Sequence, residues 1–204
     1  VLRWLPFAAG EQSDSKARTL RLLGTPYGSD TVAMQLLAWD AGRTAWQAVA
    51  AGDVIVGEHW QLPPGTWPSI ATDNQEPNPY TAGVLFHGLA YQLLTDLRMD
   101  STGSSYWLDL DAGAVPIGLL NQGLLDAATH GIPHDALWRW NDEIPRDVAA
   151  YPVAITTAVF YGPAPVSGRV RCEARFGGFR GGDRQFPIIR VQIVRAEIVW
   201  AELE

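Results

Sequence analysis

Asp126 and His130 stand four residues apart in the run Leu124-Leu125-Asp126-Ala127-Ala128-Thr129-His130. On a helix that spacing places both side chains on one face. A carboxyl and an imidazole side by side form an acid–base pair. Elimination of water needs such a pair, with a base for the proton on carbon and an acid for the departing hydroxyl. An aspartic acid near the apolar start of a buried helix has its pKa raised by desolvation, which fits Asp126 for the acid's role. His130, one turn on, would hydrogen-bond the same hydroxyl or fix the carboxylate. On spacing alone, a helix-capping Asp126 and a surface His130 explain the pair better, so the flanking segments have to decide.

The remaining candidates are weaker. His87 follows Phe86 and precedes Gly88 in a strand-like stretch, where a satisfied core or turn histidine is an equal alternative. His134, after Pro133, reads as a loop residue, and His59 falls in a Pro-rich connector. The histidines and their acidic neighbours lack the HExxH spacing of a metal site, so the linear pattern assigns no metal. Gly177-Gly178 and Gly181-Gly182 lie between strands with no helix start and no phosphate-binding lysine after them, which makes a hairpin or loop. Arg175, Arg180 and Arg184 flank these glycines, placed either to meet a phosphate group or simply to solvate the loop. The nine Trp residues are spread over the chain as core and interface packing.

The elements that must position these groups follow from composition and pattern. The chain has 204 residues, 47% hydrophobic and 18% charged, with a net charge of −7. That composition supports an ordinary globular core. The basic residues are scattered, which argues against a nucleic-acid surface. A single cysteine, Cys172, excludes an internal disulfide and a multi-cysteine metal site and fits a reducing, cytoplasmic setting. No apolar run reaches membrane-spanning length and the N-terminus lacks a signal-peptide layout. The start at Val1, without Met and within a strand-like run, implies a piece of a longer protein. Residues 1–57 read as an antiparallel meander, with strands over 19–23, 31–39, 46–50 and 54–56 separated by Pro26/Gly28 and Asp40-Ala41-Gly42 turns. Residues 58–79 hold five prolines and few aliphatics, the pattern of an extended, solvated linker. The strongest helix is expected within 118–140, from the spacing of Leu120, Leu124, Leu125, Ala128 and Leu137, bent or ended by Gly131 and Pro133. Strands return over 151–161, 168–176 and the long run 186–203. The class is α+β, a long antiparallel sheet wrapped around a central helix.

Three segments carry a resemblance. Leu85-Phe86-His87-Gly88-Leu89-Ala90-Tyr91-Gln92 resembles the FHGPxFQ stretch that opens the second hotdog of polyketide and polyunsaturated-fatty-acid synthase dehydratase domains. Leu124-Leu125-Asp126-Ala127-Ala128-Thr129-His130 resembles their LLDAxxQ/H helix, and Tyr151–Tyr161 with Ile193–Leu203 resembles their later strands. The motifs run in the family's order over residues 80–204, the second hotdog of a double hotdog. Residues 1–57 then form the end of the first, and 58–79 the linker.

The resemblance implies dehydration of a 3-hydroxyacyl thioester, carried on the phosphopantetheine arm of an acyl carrier protein, to the 2,3-enoyl thioester. No cofactor of the chain's own is implied. Asp126 and His130 would be catalytic, and Phe86, His87, Gly88, Tyr91 and Leu125 would shape the substrate tunnel, His87 without being the catalytic base. The partners implied are the carrier protein, other megasynthase domains and a second copy of the chain, with neither nucleic acid nor membrane. The family's histidine base lies in an HxxxGxxxxP motif of the first hotdog, and this sequence lacks it. His59 has Pro68 at the right distance, but Pro63 stands where the glycine belongs. Either the segment with the base lies outside these residues or the domain is degenerate, and in both cases these residues alone are not expected to dehydrate efficiently. Two alternatives stay open: a non-catalytic hotdog that positions acyl chains or joins subunits, and a hotdog thioesterase or isomerase.

Overall fold

The computed structural model describes residues 2–4, 19–40 and 42–204. In chain order the strands among these residues are β1 (Leu2–Trp4), β2 (Leu20–Tyr27), β3 (Thr31–Asp40), β4 (Ala45–Ile55), β5 (Leu94–Met99), β6 (Gly103–Asp109), β7 (Ala154–Ile155), β8 (Ala158–Phe160), β9 (Arg169–Phe179), β10 (Pro187–Arg195) and β11 (Ile198–Leu203). One α-helix, α1 (Gln122–Ala127), joins them. They divide between two compact units, Val1–His59 with Pro152–Thr157, and Trp60–Tyr151 with Ala158–Glu204.

The first unit is a five-stranded sheet in the order β2-β3-β4-β1-β7. The expected meander is its centre: β2 pairs antiparallel with β3 from Tyr27↔Thr31 to Leu20↔Ala38, and β3 with β4 from Thr31↔Ile55 to Asp40↔Ala45. The β2–β3 turn holds Gly28 at φ 73°, a conformation that favours glycine. The Asp40 carboxylate accepts from the Gly42 and Arg43 amides and so closes the next turn.

The second unit is a six-stranded antiparallel sheet in the order β5-β6-β9-β10-β11-β8. Alternation gives it two buried faces of opposite character. Tyr106 and Leu108 of β6, Val170, Cys172 and Ala174 of β9, and Val191 and Ile193 of β10 belong to the apolar core that also takes Leu124, Ala127 and Ala128 from α1 and the turn after it. On the other face the register lines up Ser105, Glu173, Gln192 and Glu202 as a row of polar neighbours across four strands. The fully buried Glu173 carboxylate accepts from the hydroxyls of Ser69 and Ser105 and from the guanidinium groups of Arg171 and Arg175. Gln192 accepts from the Trp67 amide and donates to Gly65 and Glu202.

Residues 58–79 are mostly exposed, as expected of an extended, solvated segment, but the row also ties them to the sheet. Their prolines do keep them out of helix and ladder. Their backbone polar groups nevertheless find partners on the sheet, at Gln192, at Ser105 through the Ile70 amide and at Arg98 through Thr72. The segment from Trp60 onward belongs to the second unit.

The expected helix over 118–140 is also shorter. Asn121 caps it, its side chain accepting from the Leu124 amide at 3.0 Å, but the helix stops at Ala127. Thr129 turns its hydroxyl back to the Asp126 carbonyl, which competes with the helical ladder, and the chain continues through turns to a short 3-10 segment at Leu137–Arg139. The run 151–161 is not one strand: β7 pairs with β1, while β8 pairs with β11. The stretch 186–203 folds into a hairpin whose turn holds Ala196 and Glu197 at φ 50° and 61°. Among the described residues no helix is long and apolar enough to cross a membrane.

Two contacts tie the chain beyond α1 to the sheet. The Tyr106 hydroxyl donates to the Ala128 carbonyl, and Ser104 donates to the Gly131 carbonyl at 2.7 Å. A Cβ on Gly131 would lie 2.2 Å from the Tyr106 ring. Glu76 and Arg139 form a two-pronged ion pair with N–O distances of 3.0 and 2.6 Å.

Gly131→Ala should therefore cost about 1–3 kcal/mol by overpacking, seen as a lower urea midpoint; an unchanged midpoint would refute the close contact. Glu76 gives a pH signature. The Arg139 hydrogen bonds hold its pKa below the ordinary value against the opposing effect of burial. Its stabilisation is present above the unfolded-state pKa, about 4.3, and is lost as pH falls through the lower folded value. The stability gap between wild type and Glu76→Gln should be open at pH 7 and close in acid, by urea titration at both pH values.

Candidate functional site

The second unit gathers three of the sequence candidates at one place. Asp126 is the penultimate residue of α1, and its side chain is 38% exposed. His130 lies in the following turn, its amide bonded to the Ala127 carbonyl and its side chain fully buried. His87 comes from 39 residues upstream and lies in an irregular segment, not the strand expected. That segment is held by Gln92, which donates to the His87 carbonyl at 2.7 Å, and by the 3-10 turn Leu89–Tyr91 that Gly88 starts.

The two imidazoles converge on one carboxylate oxygen. His130 Nε2 is 3.2 Å and His87 Nε2 3.5 Å from Asp126 Oδ2. The ring centroids of the two histidines are 4.1 Å apart. Proximity is not alignment, however: Asp126 Oδ2, His130 Nε2 and His87 Nδ1 are all buried without a hydrogen bond of acceptable geometry. The far nitrogen of His130 is well held, 2.6 Å from the Tyr80 hydroxyl, which also accepts from the Leu94 amide at 3.3 Å. Tyr80 was not among the sequence candidates. Burial pushes its hydroxyl up to about 12, so it remains protonated.

The electrostatics correct one expectation. Burial does act to raise the Asp126 pKa, but the adjoining His130, and then His87, outweigh it and bring the carboxyl below its ordinary value. Asp126 is a carboxylate at neutral pH and not the resting acid that burial alone would make it. The His87 pKa is lowered, first by burial and then by repulsion from His130, with Asp126 opposing.

Of the other candidates, Phe86 is largely exposed and stacks on the His87 ring at 5.7 Å, and Tyr91 lies 6.5 Å from it. Gly88 caps the 3-10 turn, and Leu125 packs against the core cluster. His134 is buried in a turn with both ring nitrogens on backbone carbonyls, of Ala150 and Thr129. His59 is exposed. Arg175 is bonded internally to Ser104, Ala174, Pro68 and Glu173, and Arg184 pairs with Glu143.

No family model matches the sequence, and no curated protein resembles it at a significant level. Solved structures do match the fold. The dehydratase domain of RzxB from Pseudomonas fluorescens superposes with a TM-score of 0.63 at 16% identity, over 100% of this chain and 72% of that one. The fold is that of the polyketide synthase dehydratase domains. Two inactive mutants of the CurK dehydratase, one with histidine changed to phenylalanine and one with aspartate changed to asparagine, match at TM-scores of 0.66 and 0.65. Their identities are 12% and 13%, over 100% of this chain and 70% of each. A trans-acyltransferase polyketide synthase enoyl-isomerase shares the dehydratase fold as well, with a TM-score of 0.60 at 12% identity, over 100% of this chain and 76% of that one. The hotdog class expected from sequence is therefore the observed class.

The Tyr80 hydroxyl holds the site to β5. Tyr80→Phe leaves the Leu94 amide and the inner nitrogen of His130 without their partner, and should cost about 1–3 kcal/mol in chemical denaturation. A variant as stable as wild type would show that Tyr80 does not hold His130.

Proposed function

We infer that the chain eliminates water from a 3-hydroxyacyl thioester to give the 2,3-enoyl thioester. The observation that carries this reading is a carboxylate set between two imidazoles within a dehydratase fold. His130 is sealed from solvent, whereas His87 is partly exposed and can meet a substrate. In the reading that fits the ionised Asp126, His87 takes the C2 proton and becomes an imidazolium beside the carboxylate. It then returns that proton to the departing hydroxyl, so that water leaves and the site is restored. Asp126 stabilises the charged imidazole, and His130, held by Tyr80, keeps Asp126 in place. The inactive CurK mutants, which differ by one histidine and one aspartate, support a His–Asp requirement for this chemistry. The exposed Phe86 and the Tyr91 ring flank the approach to His87 and suit an acyl chain.

The substrate would arrive on the phosphopantetheine arm of an acyl carrier protein, in a cytoplasmic assembly with other synthase domains and a second copy of the chain. The enoyl-isomerase with the same fold supports a second reading. Moving a double bond also needs one proton carrier, but no hydroxyl leaves.

Mass spectrometry of 3-hydroxyacyl- and 2-enoyl-pantetheine substrates separates the readings, since only dehydration loses the mass of one water. Asp126→Asn should lower turnover by about 10²-fold or more with the fold kept. His87→Ala should do the same. Full activity in Asp126→Asn would remove the carboxylate from the mechanism. Activity kept in His87→Ala but lost in Asp126→Asn would place the base outside these residues.

A further inference from the structure

His87, Asp126 and His130 each present a ligand-type atom, and these atoms all lie within 4.8 Å of one another. The linear pattern assigns no metal here, because it lacks the HExxH spacing. The fold gathers the three residues.

The two separations from Asp126 fit a small cation better than they fit hydrogen bonds. A four-coordinate Zn²⁺ with bonds of about 2.05 Å holds its donors about 3.3 Å apart. Asp126 Oδ2 stands 3.2 Å from His130 Nε2 and 3.5 Å from His87 Nε2. Neither Asp126 Oδ2 nor His130 Nε2 has a hydrogen-bond partner, although both atoms are buried and the His130 side chain is fully so. A buried polar atom in that condition costs about 1–3 kcal/mol unless something else satisfies it.

The outer contacts are also those of a ligand histidine. The Tyr80 hydroxyl engages His130 Nδ1 at 2.6 Å, which fixes the ring and leaves Nε2 aimed at Asp126. When Nδ1 carries the proton, the Nε2 lone pair faces a carboxylate oxygen, and a cation between them turns that repulsion into two bonds. Hydrogen bonding of the far nitrogen is the usual support for a metal-bound imidazole. Two imidazoles and one carboxylate select a first-row transition cation such as Zn²⁺ over Mg²⁺ or Ca²⁺, which take oxygen ligands.

We propose that His87, Asp126 and His130 form a three-ligand site for a divalent transition-metal ion of the zinc class. Its fourth position opens on the side where His87 and Asp126 are partly exposed. A cation there occupies the lone pairs that proton transfer would use, so metal and acyl substrate compete. Metal binding itself does not depend on the dehydratase reading.

The test uses the full chain, stripped with a chelator and then titrated with Zn²⁺ against a chromophoric competitor, and separately with Co²⁺ followed by visible absorption. One equivalent should bind with a dissociation constant in the micromolar range or below, and Co²⁺ should show the intense visible bands of a four-coordinate ion. Asp126→Asn, His130→Ala and His87→Ala should each weaken binding by at least about tenfold, and Tyr80→Phe by about the same factor through loss of support. The exposed His59→Ala should bind as wild type does. His87 lies in an irregular, partly exposed segment, so its variant keeps the question open to test even if His130→Ala does not fold. Absence of stoichiometric binding, a six-coordinate Co²⁺ spectrum, or binding unaffected by His87→Ala would overturn the proposal.

Discussion

The placement of Tyr106 governs the rest of the second unit. Its side chain is almost wholly buried on β6, paired across to Cys172 of β9. Its hydroxyl donates to the carbonyl of Ala128, the residue that caps the end of α1, and its ring leaves room only for a glycine at 131. One side chain thereby fixes both where the helix stops and how closely the next turn approaches the sheet. Asp126 and His130 bracket that contact by two residues on either side. Their mutual distance depends on it.

The opposite face of the same strands is built from different chemistry. A carboxylate as deeply buried as Glu173 must be paired and hydrogen-bonded or its burial would be prohibitive. Two hydroxyls and two guanidinium groups meet that need, and one of the hydroxyls, from Ser69, belongs to the Pro-rich segment. Gln192 meets the amide of Trp67 in the next position of the row. A segment with no ladder of its own thus acquires a defined path from side chains that the sheet presents in register. It then delivers Tyr80 to the site, since Asn78 accepts from the Tyr80 amide at 2.9 Å in the turn that follows Pro77.

Much of the fold was legible where period and punctuation agree. The β2–β3–β4 meander follows from alternating runs broken by Gly28 and Asp40, and β9 and β10 from apolar alternation either side of the glycine-rich loop. The spacing overextends the helix because Leu124, Ala128 and Leu137 mark a buried side equally well in turns and 3-10 segments. Periodicity records burial and not hydrogen bonding. The attachment of 58–79 to the sheet has no local signal: Pro content reports what the backbone cannot do, and the partners of Ser69 and Trp67 lie more than a hundred residues away. In the site, Asp126 and His130 were visible from a four-residue spacing. The relation of His87 to Asp126 spans 39 residues and was visible only through the Phe-His-Gly resemblance, which put His87 near the site but not against the carboxylate. Tyr80 carried no signal in spacing or charge.

The misplaced expectation about Asp126 shows what a local argument leaves out. Desolvation is the largest single influence on this carboxyl, and it acts upward as the apolar flanks imply. The net direction is set by neighbours, and one of the two arrives from a segment that no helical pattern predicts. Two imidazoles on one oxygen also impose a constraint on each other. Charge on both imidazoles at once would repel at their centroid distance of 4.1 Å. The carboxylate can therefore support one charged imidazole well and two poorly. Tyr80 holds His130 in a fully buried position, so the member of the cluster that faces outward is His87.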